Sequence, residues 1–317
     1  MSEKFCYPLG LRLLTEQHSP QFFSNVMTDS EGERIYLFIV LFCEPPTHQI
    51  LEKLENTFHL TRENLGTFYI QQCMCLISRY PYHSLFKEYM SELYRIVTRS
   101  KEHIGAQTPW PSLGERPSLA AELLSHLVNI VFECPAPPPG ISCVRICVGE
   151  KILHYSLPAP NDLPLLDVDM RLLFFSLSPS HIVSIISALL LEQKVLLLSA
   201  RPALLTIACE TLLALAYPFP WLHTYIPLLP TFLADYVQTP TPFLIGTHPS
   251  AVRASLVARD VLLVDLDKDT LILPRSPPNA KKKKSADDDD EDNDAFPLVP
   301  KHIREKLMTQ IVCFCFE

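Results

Sequence analysis

An unbroken apolar run constrains this 317-residue chain more than any other feature. Residues 35–43 read Ile-Tyr-Leu-Phe-Ile-Val-Leu-Phe-Cys, and Pro45 and Pro46 end the run. A strand that has no polar face must be covered on both sides, because apolar side chains project from it in both directions. The run therefore predicts a strand in the middle of a sheet, buried on both faces.

The neighbouring sequence predicts two further strands, over residues 20–29 and 68–77. The helix that follows has apolar residues at spacings of three and four between Leu85 and Val97, with Ser84 as its expected N-cap and Glu92 on its polar side. We expect the helix to lie across an antiparallel meander. Together these elements predict a first α/β module over residues 1–105.

A second α/β module is predicted over residues 141–273, after a proline-rich linker at 106–140 that contains a short helix. It begins with a hairpin around Gly149 and Glu150 and continues with short strands and helices in alternation. Repeated strand–helix–strand units predict a mostly parallel sheet flanked by helices.

The composition of the chain changes after residue 273. Residues 274–295 contain four consecutive lysines from Lys281 and then a run of acidic residues, which predicts a disordered, solvated linker. Residues 296–317 resume with one helical segment.

Cysteine and charge placement indicate a reduced, cytoplasmic chain. The ten cysteines lie among apolar neighbours without a C-x-x-C pair, and the N-terminus lacks the apolar core of a signal peptide. Charged residues interrupt the most apolar stretch, residues 182–217, so it predicts a buried core and not a membrane span.

Motif searches argue against most kinds of chemistry. The net charge of −8 disfavours nucleic acid as a partner. The chain contains neither G-x-G-x-x-G nor G-x-x-x-x-G-K-[ST], and neither G-x-S-x-G nor H-E-x-x-H, so we expect no cofactor, no metal, no small-molecule substrate and no covalent catalysis. Asp265, Asp267 and Asp269 fit a hairpin turn better than a calcium loop, which would need a glycine and a terminal glutamate.

The residue types that remain suit a protein-binding surface, since such surfaces use aromatic and arginine anchors. The candidates are the arginine and aromatic residues near predicted turns in each module: Arg79, Tyr80, Tyr82, Arg201, Trp221 and Tyr236. For each aromatic residue the alternative is that it covers the core.

Several motifs, in order along the chain, resemble the DENN domain family. The first module carries Phe22-Phe23-Ser24-Asn25-Val26-Met27-Thr28-Asp29 and Cys75-Leu76-Ile77-Ser78-Arg79-Tyr80-Pro81-Tyr82. The second carries Leu189-Leu190-Leu191-Glu192-Gln193-Lys194, Tyr217-Pro218-Phe219-Pro220-Trp221, and Pro240-Thr241-Pro242-Phe243-Leu244-Ile245-Gly246.

The resemblance implies an upstream, longin-like module, a central α/β DENN module, and at residues 296–317 the beginning of a truncated downstream module. It also implies guanine-nucleotide exchange on a Rab-type small GTPase in membrane traffic, with peripheral association with vesicle or endosomal membranes. A DENN-fold scaffold that binds a GTPase or trafficking protein without exchange is the alternative, and a small-molecule enzyme on an α/β fold is a third hypothesis.

Overall fold

The computed structural model describes residues 3–29, 31–46, 50–52, 68–104, 117–140, 142–252, 257–274 and 299–316. It is a mixed α/β structure, as predicted. Contacts divide the chain into an N-terminal unit (residues 11–24 and 35–167) and a C-terminal unit (residues 1–10, 25–34 and 168–317). Two predicted segments lie largely outside the described residues. They are the part of the 106–140 linker ahead of its helix and the Lys/Asp-rich linker, of which only Pro274 is described.

The elements up to residue 156 are α1 (Glu3–Cys6), β1 (Leu13–Leu14), β2 (Gln21–Thr28), β3 (Arg34–Glu44), β4 (Tyr69–Ser78), α2 (His83–Ile104), α3 (Pro117–Val128), a π-helical turn (Asn129–Glu133), β5 (Cys143–Val148) and β6 (Lys151–Ser156). Those that follow are α4 (Arg171–Ser176), α5 (Pro179–Leu190), β7 (Lys194–Leu198), α6 (Pro202–Leu215), β8 (Thr224–Ile226), a 3₁₀ helix (Thr231–Gln238), β9 (Phe243–Thr247), β10 (Val261–Asp265), β11 (Thr270–Ile272) and α7 (Lys301–Phe316).

Strand β3 lies inside a four-stranded sheet of order β1-β4-β3-β2. It pairs antiparallel with β4 along its length, with Ile39 opposite Cys75. Its side chains are buried on both faces, which confirms the interpretation of the apolar run. Helix α2 packs on this strand, because the rings of Phe86 and Phe38 lie 4.7 Å apart.

Asp167, far along the chain, caps the N-terminus of α2. Its Oδ2 accepts hydrogen bonds from the backbone N–H of Ser84 at 2.9 Å and of Leu85 at 3.1 Å. The prediction that Ser84 caps the helix is therefore wrong. The Ser84 hydroxyl instead donates to the Asp167 carbonyl at 3.1 Å. A carboxylate at this position also faces the positive end of the helix dipole.

The β5–β6 hairpin packs against α2 and belongs to the N-terminal unit, although the predicted module boundary at residue 141 placed it with the following segment. It buries Glu92, which was expected on the solvent side of the helix. Glu92 forms an ion pair with Arg95. Gly149 lies beside it with a left-handed φ of 55°, and a Cβ there would lie 2.8 Å from Glu92 Oε1, so the Glu92 side chain would have to shift.

The C-terminal unit contains a five-stranded sheet of order β11-β10-β7-β9-β8. The pairs β10–β7, β7–β9 and β9–β8 are parallel, and β10–β11 is an antiparallel hairpin. Proline occupies the first turn of both α5 and α6, where its missing N–H costs no helical hydrogen bond. Helix α7 contacts α5.

Close backbone approach shapes the centre of this sheet. Strand β8 ends at Ile226, and the chain then passes over β9, so that Leu229 N–H donates to the Gly246 carbonyl at 2.7 Å. A Cβ at Gly246 would lie 2.2 Å from the Pro227 oxygen. The buried Asn25 side chain donates from Nδ2 to the Leu228 carbonyl at 2.9 Å, which fixes this segment from the other side.

Within the described part of the chain, no helix is both long enough and apolar enough to cross a membrane.

A candidate protein-docking surface on the C-terminal unit

The β10–β11 turn carries three aspartates and forms a hairpin, as predicted in preference to a calcium loop. Asp267 Oδ2 accepts a hydrogen bond of 2.6 Å from the Ala200 N–H, and its Oδ1 accepts one of 2.9 Å from the Ser199 hydroxyl. Ser199 and Ala200 lie between the carboxyl end of β7 and the start of α6. Asp267 therefore fixes the entry of the chain into α6.

Asp269 performs the same task for α5. Its Oδ1 accepts hydrogen bonds from the Ser178 N–H at 2.9 Å and lies 2.7 Å from His181 Nδ1. The residue has a left-handed backbone with φ of 48°, which aims the carboxylate back towards the helix. One short turn thus supplies an acidic group to the N-termini of two helices, where the helix dipole favours negative charge.

Both carboxyl groups are ionised more readily than usual. Burial raises the pKa of each, but hydrogen bonds outweigh burial, and the pKa values of Asp267 and Asp269 lie below the ordinary value. The donors are the Ala200 and Ser178 amides, the Ser199 hydroxyl, Arg201 and His181. These carboxylates are occupied by structural donors, which suits neither a general acid nor a metal ligand. No group of three His, Cys, Asp or Glu residues that could hold a metal occurs in the described residues.

A groove of about 440 Å³ lies over this turn, at the edge where β7 and β10 end. Its lining combines apolar residues of α4 and α6 with charged residues. The apolar residues are Leu172, Phe175 and Leu204, and the charged residues are Arg201, ahead of α6, and Asp267, Lys268 and Asp269 of the turn. Phe175 is 82% exposed, which leaves its ring available for contact with another protein. We call Phe175, Arg201 and Lys268 the carboxyl-edge surface.

The carboxyl-edge surface contains an exposed aromatic ring and an arginine, residue types that are common in protein interfaces. Arg201 is held by Asp267, with 3.2 Å between Nη2 and Oδ1, yet 65% of its side chain is exposed. A pre-positioned arginine beside an exposed aromatic ring can bind another protein without the entropic cost of ordering a long side chain. Carboxyl edges of parallel strands are also where α/β folds most often bind their ligands.

The structure does not bring the predicted site residues of this unit together. Arg201 precedes the first turn of α6, while Trp221 follows the opposite end of that 14-residue helix, about 20 Å away. The Trp221 ring is half-buried, and its Nε1–H donates to the Thr224 carbonyl at 3.2 Å. Tyr236 lies on the 3₁₀ helix and is half exposed.

The predicted site residues of the N-terminal unit differ in how far their side chains are exposed. Tyr80 is exposed and its ring lies 5.9 Å from that of Tyr82. Tyr82 itself is only 5% exposed, and its hydroxyl donates to the Ser156 carbonyl at 3.1 Å. Burial raises the pKa of Tyr82 to about 12. The structure supports the alternative that Tyr82 covers the core. The binding roles of Arg79 and Tyr80 stay predictions.

Phe175 and Lys268 were missed by sequence reasoning. A usable signal existed for Phe175, because α4 has only six residues and four of them, from Leu172, are consecutive large apolar side chains. A helix cannot bury all sides of such a run against one sheet, so some of these side chains must face outward. Leu173 is fully buried, whereas Leu172 is 38% exposed and Phe175 is 82% exposed.

Comparison with known proteins assigns the family. Residues 69–269 match the DENN (AEX-3) domain, and residues 2–42 match the uDENN domain. The chain belongs to the DENN domain family. The first of these matches begins with β4 and ends at Asp269, so the DENN match includes the turn that caps α5 and α6.

Individual DENN proteins are similar over most of the chain. "DENN domain and WD repeat-containing protein SCD1" of Arabidopsis thaliana is 27% identical over 249 residues, which cover 78% of this chain and 19% of that protein. "DENN domain-containing protein 2A" is 32% identical in both mouse and human, over 64% and 65% of this chain and 19% and 20% of those proteins. The chain thus spans about a fifth of the length of these relatives.

Proposed function

We propose that this chain is a guanine-nucleotide exchange factor, which promotes GDP release from a Rab-type small GTPase by binding its switch regions. Membership of the DENN domain family carries the proposal, because DENN domains are in general exchange modules for Rab GTPases. Such a function needs no nucleophile, no cofactor and no nucleic acid. It needs a surface that binds the nucleotide-free GTPase more tightly than the nucleotide-bound form.

The carboxyl-edge surface supports the proposal. Phe175 offers an apolar contact. Arg201 and Lys268 lie 3.2 Å from Asp267 and 3.4 Å from Asp265, and their exposed nitrogens can also donate to acidic residues of a GTPase. Because Asp267 restrains Arg201, the surface is already ordered before the partner arrives. Arg79 and Tyr80 would add contacts from the N-terminal unit, and Trp221 and Tyr236 would add contacts away from the groove.

The proposal extends to the architecture and location of the chain. The antiparallel sheet with α2 on it would be the longin-like lobe, and the second sheet, with its three parallel pairs, the central DENN lobe. A function in vesicle traffic places the chain in the cytoplasm and, by peripheral association, on vesicle or endosomal membranes.

Release of a fluorescent GDP analogue tests the proposal. Purified Rab GTPases are loaded with the analogue, and residues 1–317 are added in catalytic amounts. We expect faster release from one or two Rab proteins. Phe175→Ser and Arg201→Glu should each slow that release by about tenfold or more, equivalent to about 1.4 kcal/mol of lost binding free energy. Leu163→Ser is the matched control, because Leu163 is exposed and lies in the other unit.

Other outcomes separate the alternatives. Binding of a nucleotide-free Rab without accelerated release would support the scaffold that binds without exchange. If the chain neither binds any Rab protein of the panel nor accelerates its nucleotide release, the exchange hypothesis and the scaffold hypothesis are both wrong. Arg79→Glu tests the N-terminal unit in the same assay, and unchanged release would remove Arg79 from the binding surface.

A further inference from the structure

A short proline-rich segment follows the π-helical turn at the end of α3 and leads towards β5. It reads Cys134-Pro135-Ala136-Pro137-Pro138-Pro139-Gly140. Proline fixes its own φ near the polyproline II value, and it disfavours a helical backbone in the residue that precedes it. Four of the five residues from Pro135 to Pro139 are proline, so the sequence restricts this segment to the left-handed polyproline II helix.

The backbone of the segment agrees with that restriction. Residues 135–138 belong to no helix, strand or turn. Cys134, just before them, has an extended conformation with φ of −77° and ψ of 113°. Pro139, just after them, forms an isolated β-bridge with Leu157, which requires an extended backbone as well. The segment is therefore extended from end to end.

The exposure of the segment repeats every three residues. Pro137 is buried, and Cys134 and Gly140, three positions before and after it, are half-buried. The residues between them are all exposed: Pro135, Ala136, Pro138 and Pro139. A polyproline II helix has about three residues per turn, so residues three apart share one edge. One edge of this helix thus packs on the protein, and the other two edges face solvent.

Hydrogen bonds hold the segment at both ends. The Tyr155 hydroxyl, on β6, donates to the Pro135 carbonyl at 3.0 Å. The Gly140 N–H donates to the Leu157 carbonyl, just after β6, at 2.9 Å. A polyproline II helix has little conformational freedom to lose, and these bonds restrict it further. A partner can therefore bind the segment with a small entropic cost of ordering it.

The chemistry of the exposed edges selects one class of partner. Domains that recognise polyproline II segments, such as SH3, WW and EVH1 domains, use grooves lined by aromatic side chains. Pro135 and Pro138 form a P-x-x-P pair on one exposed edge, and Ala136 and Pro139 form the other edge. These edges carry no charged side chain, and the adjacent exposed charge, Glu133, is acidic. Nucleic acids and anionic membranes would instead need cations.

We propose that residues 134–140 are a polyproline ligand for a partner protein whose binding domain has an aromatic-lined polyproline groove. Val131 and Phe132, just before the segment, are 63% and 82% exposed and enlarge the apolar surface that the partner can contact. The segment belongs to the N-terminal unit, whereas the carboxyl-edge surface belongs to the C-terminal unit. The two binding activities thus depend on different residues.

Isothermal titration calorimetry of residues 1–317 with purified SH3, WW and EVH1 domains provides the test. We expect at least one of these domains to bind. The double variant Pro135→Ala with Pro138→Ala removes both proline rings of one exposed edge and should weaken that binding by about tenfold or more. Pro164→Ala is the matched control and should leave the affinity unchanged, because Pro164 is an exposed proline of the same unit outside the segment.

Tyr155→Phe tests the pre-ordering of the segment. This variant keeps every proline but removes the hydrogen bond to the Pro135 carbonyl. It should weaken binding by about two- to fivefold, because part of the ordering then takes place when the partner binds. The Pro135→Ala with Pro138→Ala variant should melt within about 2 °C of the parent and should release GDP from a Rab protein as the parent does.

Three results would overturn the proposal. The first is that none of the SH3, WW and EVH1 domains binds. The second is that a domain binds the double variant as tightly as the parent, which would assign its binding to others of the 29 prolines. The third is self-association of the chain that the double variant abolishes in analytical ultracentrifugation, which would make a second copy of the chain the occupant.

Discussion

The Tyr225 hydroxyl donates a hydrogen bond of 2.6 Å to Glu210 Oε1, and both side chains are buried within the C-terminal unit. Burial raises the pKa of both groups. The Arg34 guanidinium lies 4.7 Å from the centre of the Tyr225 ring and stabilises this arrangement by a cation–π interaction. The three side chains come from α6, β8 and the start of β3.

Tyr225→Phe should destabilise the protein because it leaves the buried Glu210 carboxyl without its donor. We expect a loss of about 1–3 kcal/mol in the free energy of unfolding, measured by urea denaturation. The double variant Tyr225→Phe with Glu210→Leu removes both polar groups and should recover part of the loss. If the single variant unfolds at the parent's urea concentration, the hydrogen bond is not important for stability.

Gly246→Ala should be among the most damaging single substitutions in the sheet. The new Cβ would lie 2.2 Å from the Pro227 oxygen, a backbone atom that cannot rotate away. We expect a loss of about 2–3 kcal/mol or failure to fold. Ile272→Ala, at an exposed position of β11, is the control and should change the free energy of unfolding by less than about 1 kcal/mol. If Gly246→Ala and Ile272→Ala have equal free energies of unfolding, the close approach of Gly246 to the Pro227 oxygen is contradicted.

Asp267→Ala removes the hydrogen bonds to Ser199 and Ala200 before α6 and the ion pair with Arg201. The expected loss is about 1–2 kcal/mol, the usual value of an N-terminal capping group. Hydrogen exchange should increase in the first turn of α6. Asp162→Ala, an exposed aspartate of the other unit, should leave that exchange unchanged.

Replacing the left-handed residues by glycine should give opposite results at two positions. Glu192→Gly relieves an unfavourable backbone conformation and should raise the free energy of unfolding by about 0.5 kcal/mol, after the entropic cost of glycine. Asp269→Gly relieves the same kind of backbone but loses the cap of α5, so it should lower stability. Thermal denaturation of the two variants provides the comparison, and a loss of stability in both would show that Glu192 has a structural role.

His83 should make the N-terminal unit sensitive to acid. Its Nδ1 lies 2.9 Å from the Ser24 hydroxyl, its Nε2 is buried without a hydrogen bond to a described residue, and the Tyr36 and Phe38 rings pack edge to face against it. Burial lowers its pKa to about 4.

Between the folded pKa of about 4 and the ordinary value of 6.5, the unfolded chain binds the proton and the folded chain does not. Stability therefore falls as the pH is lowered through this interval, by about 2 kcal/mol from pH 7 to pH 5. His83→Gln keeps a hydrogen-bonding side chain but cannot titrate, so urea denaturation at the two pH values should show a smaller loss for the variant. The same loss in both proteins would assign the acid sensitivity to other groups.

Local patterns in the sequence predicted much of the fold. The apolar run from Ile35 and the spacing from Leu85 to Val97 depend on neighbours within a few residues, and the structure has the strand and the helix that they predict. The hairpin turn at Asp267 was also correct, because turn residues act locally.

The errors concern contacts between distant parts of the chain. Asp167 replaces Ser84 as the cap of α2 from 83 residues away, and the β5–β6 hairpin buries Glu92 on what looked like a solvent face. Tyr82, which the sequence left open as a binding residue or a cover for the core, is buried. Helical periodicity cannot show which face a later segment will cover, so single residues of a docking surface are the least predictable feature.

The hydrogen bond from Asn25 to the Leu228 carbonyl joins groups that are 203 residues apart. On a ribosome that adds about 5–20 residues per second, the acceptor is synthesised about 10–40 s after the donor. During that interval residues 25–34 cannot reach their final positions, and Val26, buried in the finished protein, remains accessible. The nascent chain therefore exposes a site for molecular chaperones around Val26 until residue 228 has been translated.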